Sequence, residues 1–154
     1  VEFLVDGAKA DLGIRMKDDS SAFDWAILGG HQQTMDFLAD RVDLQAVNRF
    51  GCAAVQWAAA AGNVETLRWL RRRGVDLDHV NLARHGAVAK AAWKGHDDAL
   101  RWLLQAEDGP ALVGQLALRD HEGKSVAEIA AINGMDATAA WLAPLVVDAE
   151  RRAG

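Results

Sequence analysis

The sequence predicts an all-α repeat solenoid, a stack of helix-turn-helix units joined by extended hairpin-like turns, and two repeating markers carry that prediction. An aromatic followed by leucine returns as Phe3-Leu4, Phe37-Leu38, Trp69-Leu70, Trp102-Leu103 and Trp141-Leu142, at steps of 34, 32, 33 and 39 residues. Gly30, Gly62, Gly95 and Gly134 keep the same beat, each lying seven residues before one of the last four pairs. A unit of this length cannot bury its apolar face alone, so it stacks on its neighbours and shares one continuous core with them. Function is then expected on a surface rather than in an enclosed reaction site.

Residues 1–12 have the phase of a second helix with no first helix before it, which reads as a half-repeat and as a start inside a longer protein. Repeats are expected at about 18–44, 48–78, 81–106 and 120–146, with an insertion at 106–118 that contains Asp108-Gly109-Pro110. In the clearest unit, Asn48-Arg49-Phe50-Gly51 is a turn signal, because glycine supplies a positive φ and asparagine bonds its own backbone. Ala53 to Ala61 reads as a short alanine-rich helix that Gly62-Asn63 ends, and its small side chains allow close helix approach. Val64 to Arg73 reads as a second helix, with Val64, Leu67, Trp69 and Leu70 inward and Glu65, Arg68, Arg71 and Arg72 toward water. Gly74 stops that helix, and Asp76-Leu77-Asp78 is expected to lead out in extended form.

At this level the unit resembles the ankyrin repeat, D-x-x-G-x-T-P-L-H-x-A-A-x-x-G-H followed by a Val/Leu-rich helix and G-A-D-V-N. The matching residues are Gly51, Val55, Ala58-Ala59, Gly62, Leu70, Gly74 and Asp76 in the best unit. The next unit offers Asn81, Val88, Ala91-Ala92, Gly95-His96 and Leu103-Leu104, and the last offers Asp120, Gly123, Ser125, Ala130-Ala131, Gly134 and Leu142. A more degenerate early unit has Ser21, Phe23, Ala26, Gly30-His31 and Leu38. No unit keeps T-P-L-H: its four counterparts are Ser21-Ala22-Phe23-Asp24, Ala53-Ala54-Val55-Gln56, Gly86-Ala87-Val88-Ala89 and Ser125-Val126-Ala127-Glu128. The family's Thr–His bridge is therefore absent, and bulk is expected to replace it, through aromatics at the repeated leucine position and dry tryptophan packing. The insertion is expected to form a loop on one face. The degenerate first unit and the chain after Pro144 are expected to fray before the central repeats. Asn48 to Cys52 with Gln56 to Ala59 is also similar to Trp-rich ankyrin proteins of photosynthetic eukaryotes.

Each motif carries a bland reading beside a functional one. His31 and His96 occupy the histidine that follows the family's glycine, so a structural role outweighs ligation. His79, His85 and His121 show no metal-ligand spacing. Cys52 has no evident base partner and reads as inert. No phosphate loop, nucleophile elbow or carboxylate pair is present, so neither catalysis nor a cofactor, metal or small-molecule substrate is expected. The arginines at 68, 71, 72 and 73 read as a solvated face. Trp25 and Trp57 read as core.

The resemblance implies that turn tips and first helices line a concave face that grips proteins. By phase that face holds Arg49, Phe50, Cys52, Arg84, His85, Trp93, Lys94, Glu122, Lys124 and Ile132, with Asn133 beside them and Ser20 and Leu28 at the weak first unit. Trp93 divides evenly between groove and core, and Phe50 favours contact.

Composition narrows the partner. The net charge of −5, from 17 basic and 22 acidic residues interspersed along the chain, argues against nucleic acid. The most apolar run, Ala53 to Ala61, is far shorter than the roughly 20 residues that span a bilayer, so no membrane insertion is expected. One cysteine and no Asn-x-Ser/Thr site read as intracellular, cytoplasmic or nuclear by default, with a plastid or other organelle open. One or more proteins are the expected partners of a non-catalytic interaction module. The alternatives are a structural subunit of a large, permanent and possibly organellar assembly, and the non-catalytic part of a longer enzyme.

Overall fold

The computed structural model describes residues 11–154, so the Phe3-Leu4 pair and nearly all of the expected half-repeat lie outside the described residues. Among those residues eight α-helices follow in pairs. They are α1 (Ala22–Gly29) with α2 (Gln32–Ala39), α3 (Ala54–Ala61) with α4 (Val64–Arg72), α5 (Ala87–Lys94) with α6 (Asp97–Leu104), and α7 (Val126–Ile132) with α8 (Asp136–Ala153). The odd-numbered helices pack on one another in chain order as an inner row, and each packs against its own even-numbered partner. The alanines explain that order: Ala58, Ala59, Ala91 and Ala92 are fully buried, so neighbouring backbones approach closely. Leucines from the second helices, Leu67, Leu70, Leu100, Leu103 and Leu142, fill the space between the rows.

Glycine and histidine interlock successive units. Gly62 closes α3 at φ 69°, a left-handed cap. A Cβ on it would lie 2.5 Å from the His96 ring, and that ring donates Nε2–H to the Ala60 carbonyl at 2.9 Å. The tips repeat a different bond. Asn48 Oδ1 accepts from Phe50 N and Cys52 N, both at 3.0 Å. Asn81 Oδ1 accepts from Ala83 N and His85 N, and Asp120 Oδ1 from Glu122 N and Lys124 N. Each tip then touches the one before it: Leu82 N donates to Phe50 O at 3.1 Å, and His121 N to Ala83 O at 3.3 Å.

Several expectations are corrected. Asp76-Leu77-Asp78 is a turn rather than an extended link, because Asp78 N bonds Asp76 Oδ1 at 2.9 Å. Hydrogen bonds, not bulk, replace the missing Thr–His bridge. Ser21 and Asp24 form a reciprocal capping box on α1, as do Ser125 and Glu128 on α7. On α3, Gln56 Oε1 accepts from Ala53 N at 2.8 Å while its Nε2 crosses to His79 O at 2.8 Å in the next unit. The start of α5 has only Gly86 and Ala89 at those positions, and Gln115 of the insertion fills the vacancy. Its Oε1 accepts from Val88 N at 3.0 Å, and its Nε2 donates to Asp78 Oδ1 at 2.9 Å. A Cβ on Gly86 would stand 2.2 Å from that oxygen, so only glycine admits the amide. The insertion is thus not a peripheral loop: it forms the 3-10 helix Val113–Ala117, and Leu112, Gln115 and Leu116 are buried.

Two of the tryptophans are not packed dry. Trp69 and Trp102 are buried, yet their indole N–H groups donate to Asp36 at 2.8 Å and Asp108 at 3.2 Å. Trp25, expected in the core, is half exposed, because its indole N–H donates to Met16 Sδ and Met16 is itself at the surface. Trp57 is half-buried and packs on the core. The arginine run is engaged rather than merely solvated. Arg68 pairs with Glu65 and Asp108, Arg71 bonds the Asp108 carbonyl, and Arg73 reaches Asp36 and Asp40. At the far end α8 continues through Pro144 to Ala153. Pro144 has no N–H for the carbonyl of Ala140, a residue on the exposed side of the helix. Buried Val146 and an Arg119–Glu150 pair hold the helix beyond that point.

His85 adds a titratable link between the third and fourth units. It is 8% exposed and its Nε2–H donates to Asp120 Oδ2 at 3.3 Å. Burial pushes its imidazolium below the usual 6.5, against the opposing pull of the Asp120 hydrogen bond, and Lys90 and His121 lower it further. Asp120 moves the other way: burial alone would raise its carboxyl, but bonds from Lys124 N–H, His85 and Glu122 N–H together hold it below its usual range.

Gln115→Ala strands the Val88 N–H and is expected to cost about 1–3 kcal/mol in urea unfolding. The His85 shift has a definite sign, because the unfolded chain takes up a proton near pH 6.5 that the folded chain resists. Stability is fully present above that pH and falls as pH drops below it. His85→Gln should flatten the dependence between about pH 7 and 5 in urea titrations.

Candidate functional site

The tips and the inner helices present the residues that the repeat phase selects. Phe50 is 52% exposed, Trp93 38% and Ile132 64%. Arg49, Arg84, Lys94 and Glu122 are exposed, Lys124, Leu28 and Asn133 half-buried. Three expected members leave the accessible set, because Cys52, His85 and Ser20 are buried. The reason is shared by the first two: the fifth residue of a tip turns inward so that its N–H closes the turn on Asn48 or Asn81. Cys52 Sγ then accepts from Asn81 Nδ2 at 3.2 Å. Lys124 holds the same register, but its long side chain reaches back out to pair with Glu122.

Between the third and fourth units these side chains enclose an open groove of about 240 Å3. Trp93 and Ile132 give it apolar walls, and Asp120, Glu122 and Lys124 a polar edge. Trp93 is held in place rather than free to swing. The His85 ring meets it edge-on at 5.8 Å and 89°, and Lys90 Nζ lies 5.3 Å from its centroid. Phe50 has a comparable partner in Arg49, whose guanidinium carbon is 5.2 Å from the ring centroid. Arg49 is itself tied to the first tip through Lys17 O at 2.7 Å.

Sequence reasoning missed Leu82, the most exposed large apolar side chain of the tips at 77%. It follows Asn81 as Arg49 follows Asn48, so the phase that selected Arg49 could have selected it. Lys90 and Trp25 were also missed as surface residues. Their helix positions carry half-buried Trp57 in the second unit, which hides the fact that this side of the row is accessible.

Among the described residues no group of three or more His, Cys, Asp or Glu is arranged to hold a metal ion, and no helix is long and apolar enough to cross a membrane. His31 is exposed, and His79 and His96 each bond a backbone carbonyl of a neighbouring unit. Among the described buried side-chain nitrogens and oxygens, Trp57 Nε1 is left without an acceptor.

No curated protein matches the chain. A family model described as ankyrin repeats in many copies matches residues 23–71 and 55–104, which together span more than half of the sequence. Those bounds run from the first residues of α1 to the last residue of α6, across three of the four helix pairs. Helix pairs in repeated contact, tips bonded one to the next and the model match agree, and the chain belongs to the ankyrin repeat family.

Proposed function

We propose that the chain is a non-catalytic protein-interaction module whose partner lies across the concave face made by the tips and inner helices. Ankyrin repeats act generally as protein-binding modules. The observation that carries the finer reading is a row of large apolar side chains left in water. Phe50, Leu82, Trp93 and Ile132 stand exposed along successive units whose inner helices otherwise bury their apolar surface. Aromatic anchors with adjacent arginine dominate the energetics of protein interfaces, and Phe50 with Arg49 has that composition.

A second reading has its own support. An apolar groove of about 360 Å3 opens between the 3-10 helix and α8, lined by Val113, Leu116, Leu145 and Ala149. A subunit embedded permanently in an assembly would cover such a groove on a side away from the tips. Sedimentation of the purified chain separates the two, since an embedded subunit aggregates alone and a transient module does not.

The direct test is affinity capture from a native extract with the wild type and a Phe50→Ala/Trp93→Ala variant, recording both melting temperatures. Loss of the partner with a melt lowered by no more than the ~0.5–1.5 kcal/mol of one aromatic contact is the expected outcome. A retained partner with a strongly lowered melt would make the rings structural and move the search to residues 106–118 and the outer helices.

A further inference from the structure

Several cations on the tip and inner-helix face stand without an acid partner. Although the chain carries −5, Lys17, Arg49, Arg84, Lys90 and Lys94 all belong to this face, and among the described residues none of them has a carboxylate within ion-pair distance. In the outer layer Arg68 and Arg73 are each matched by two acids, whereas Arg71, Arg72 and Arg101 have no carboxylate within ion-pair distance among the described residues. The carboxylate of Asp18, beside Arg49, is turned onto the hydroxyl and N–H of Ser20. The cations are also contiguous with the apolar row. Arg49 lies over Phe50, Lys90 over Trp93, and the Leu82 tip is bonded to Phe50 O.

Arg84 adds an independent sign. The equivalent tip positions hold Asp19 at φ 69°, Gly51 at φ 75° and Gly123 at φ 80°, and Arg84, with a larger side chain than any of these, takes φ 62°. Left-handed backbone disfavours a residue with a Cβ, and among the described residues no partner of the Arg84 side chain offsets it.

We propose that this face receives an acidic segment of a partner protein that also carries leucine or aromatic side chains, its carboxylates meeting the unpaired cations and its apolar groups lying on Phe50, Leu82 and Trp93. This rests on the interaction-module reading and adds the chemistry of the partner. Protein is favoured over single-stranded nucleic acid, which also pairs cations with rings. The exposed aliphatics Leu82 and Ile132 offer nothing to a base.

The test selects short random peptides from a display library on the intact chain, then measures the enriched peptides against three variants. Enrichment of Asp/Glu with Leu, Phe or Trp is expected. Binding should fall about tenfold or more in Arg49→Glu/Arg84→Glu and weaken as salt rises. Arg84→Gly should weaken binding while raising the melting temperature, which a merely structural arginine would not do. Neutral or basic peptides that still require Phe50 and Trp93, probed with Phe50→Ala/Trp93→Ala, would overturn the acidic partner and leave the interaction face standing. Peptides indifferent to all the variants would overturn both, and an absence of enrichment would overturn the acidic partner. An oligothymidylate that outcompetes the peptides would assign the cations to phosphate and also overturn it.

Discussion

The junction between the second, third and inserted segments depends on one amide above Gly86. A helix start leaves N–H groups without intrahelical partners, and buried N–H groups left unpaired cost stability out of proportion to their number. Three inner helices answer this with a polar side chain three residues into the helix: Asp24, Gln56 and Glu128 each accept from the backbone N–H of their own N-cap. The α5 start has Ala89 there instead, and the Gln115 amide enters from a later segment. Because the same amide also reaches Asp78, it joins the second unit's exit turn, the third unit's first helix and the insertion.

The outer layer shows the same substitution by a neighbour. Asp36 in α2 accepts the indole N–H of Trp69 one unit later, and by the repeat phase Arg68 stands in α4 where a carboxylate for Trp102 would be needed. Asp108, again from the insertion, supplies it and neutralises Arg68 at once. Both ends of the inserted segment therefore mend departures from the repeat pattern, Ala89 in the third unit's inner helix and Arg68 in the second unit's outer helix, one on each layer of the stack.

Much of the fold was legible because it depends on local chemistry. A glycine seven residues before an aromatic-leucine pair ends one helix and begins the next, whereas the capping boxes of Ser21 and Ser125, though local, went unread because bulk was expected in their place. What stayed hidden was carried by separation in sequence. Nothing near Val88 shows that its acceptor lies 27 residues away, and nothing near Trp102 marks Asp108 as its partner. The candidate face was half legible for a geometric reason. Repeat phase gives the correct turn but not the inward rotation of a tip's fifth residue, so Cys52 and His85 were placed outside when their N–H groups draw them in.

A stack of equivalent modules lengthens by duplicating any one of them. The Gln115 amide removes that freedom from the third. A copy of residues 81–104 inserted elsewhere would arrive with an uncapped helix and a glycine notch open to water, so this segment is heritable only together with the insertion that caps it. Growth or shuffling of this array should then respect that junction and break instead between the first and second pairs, where each cap is self-sufficient.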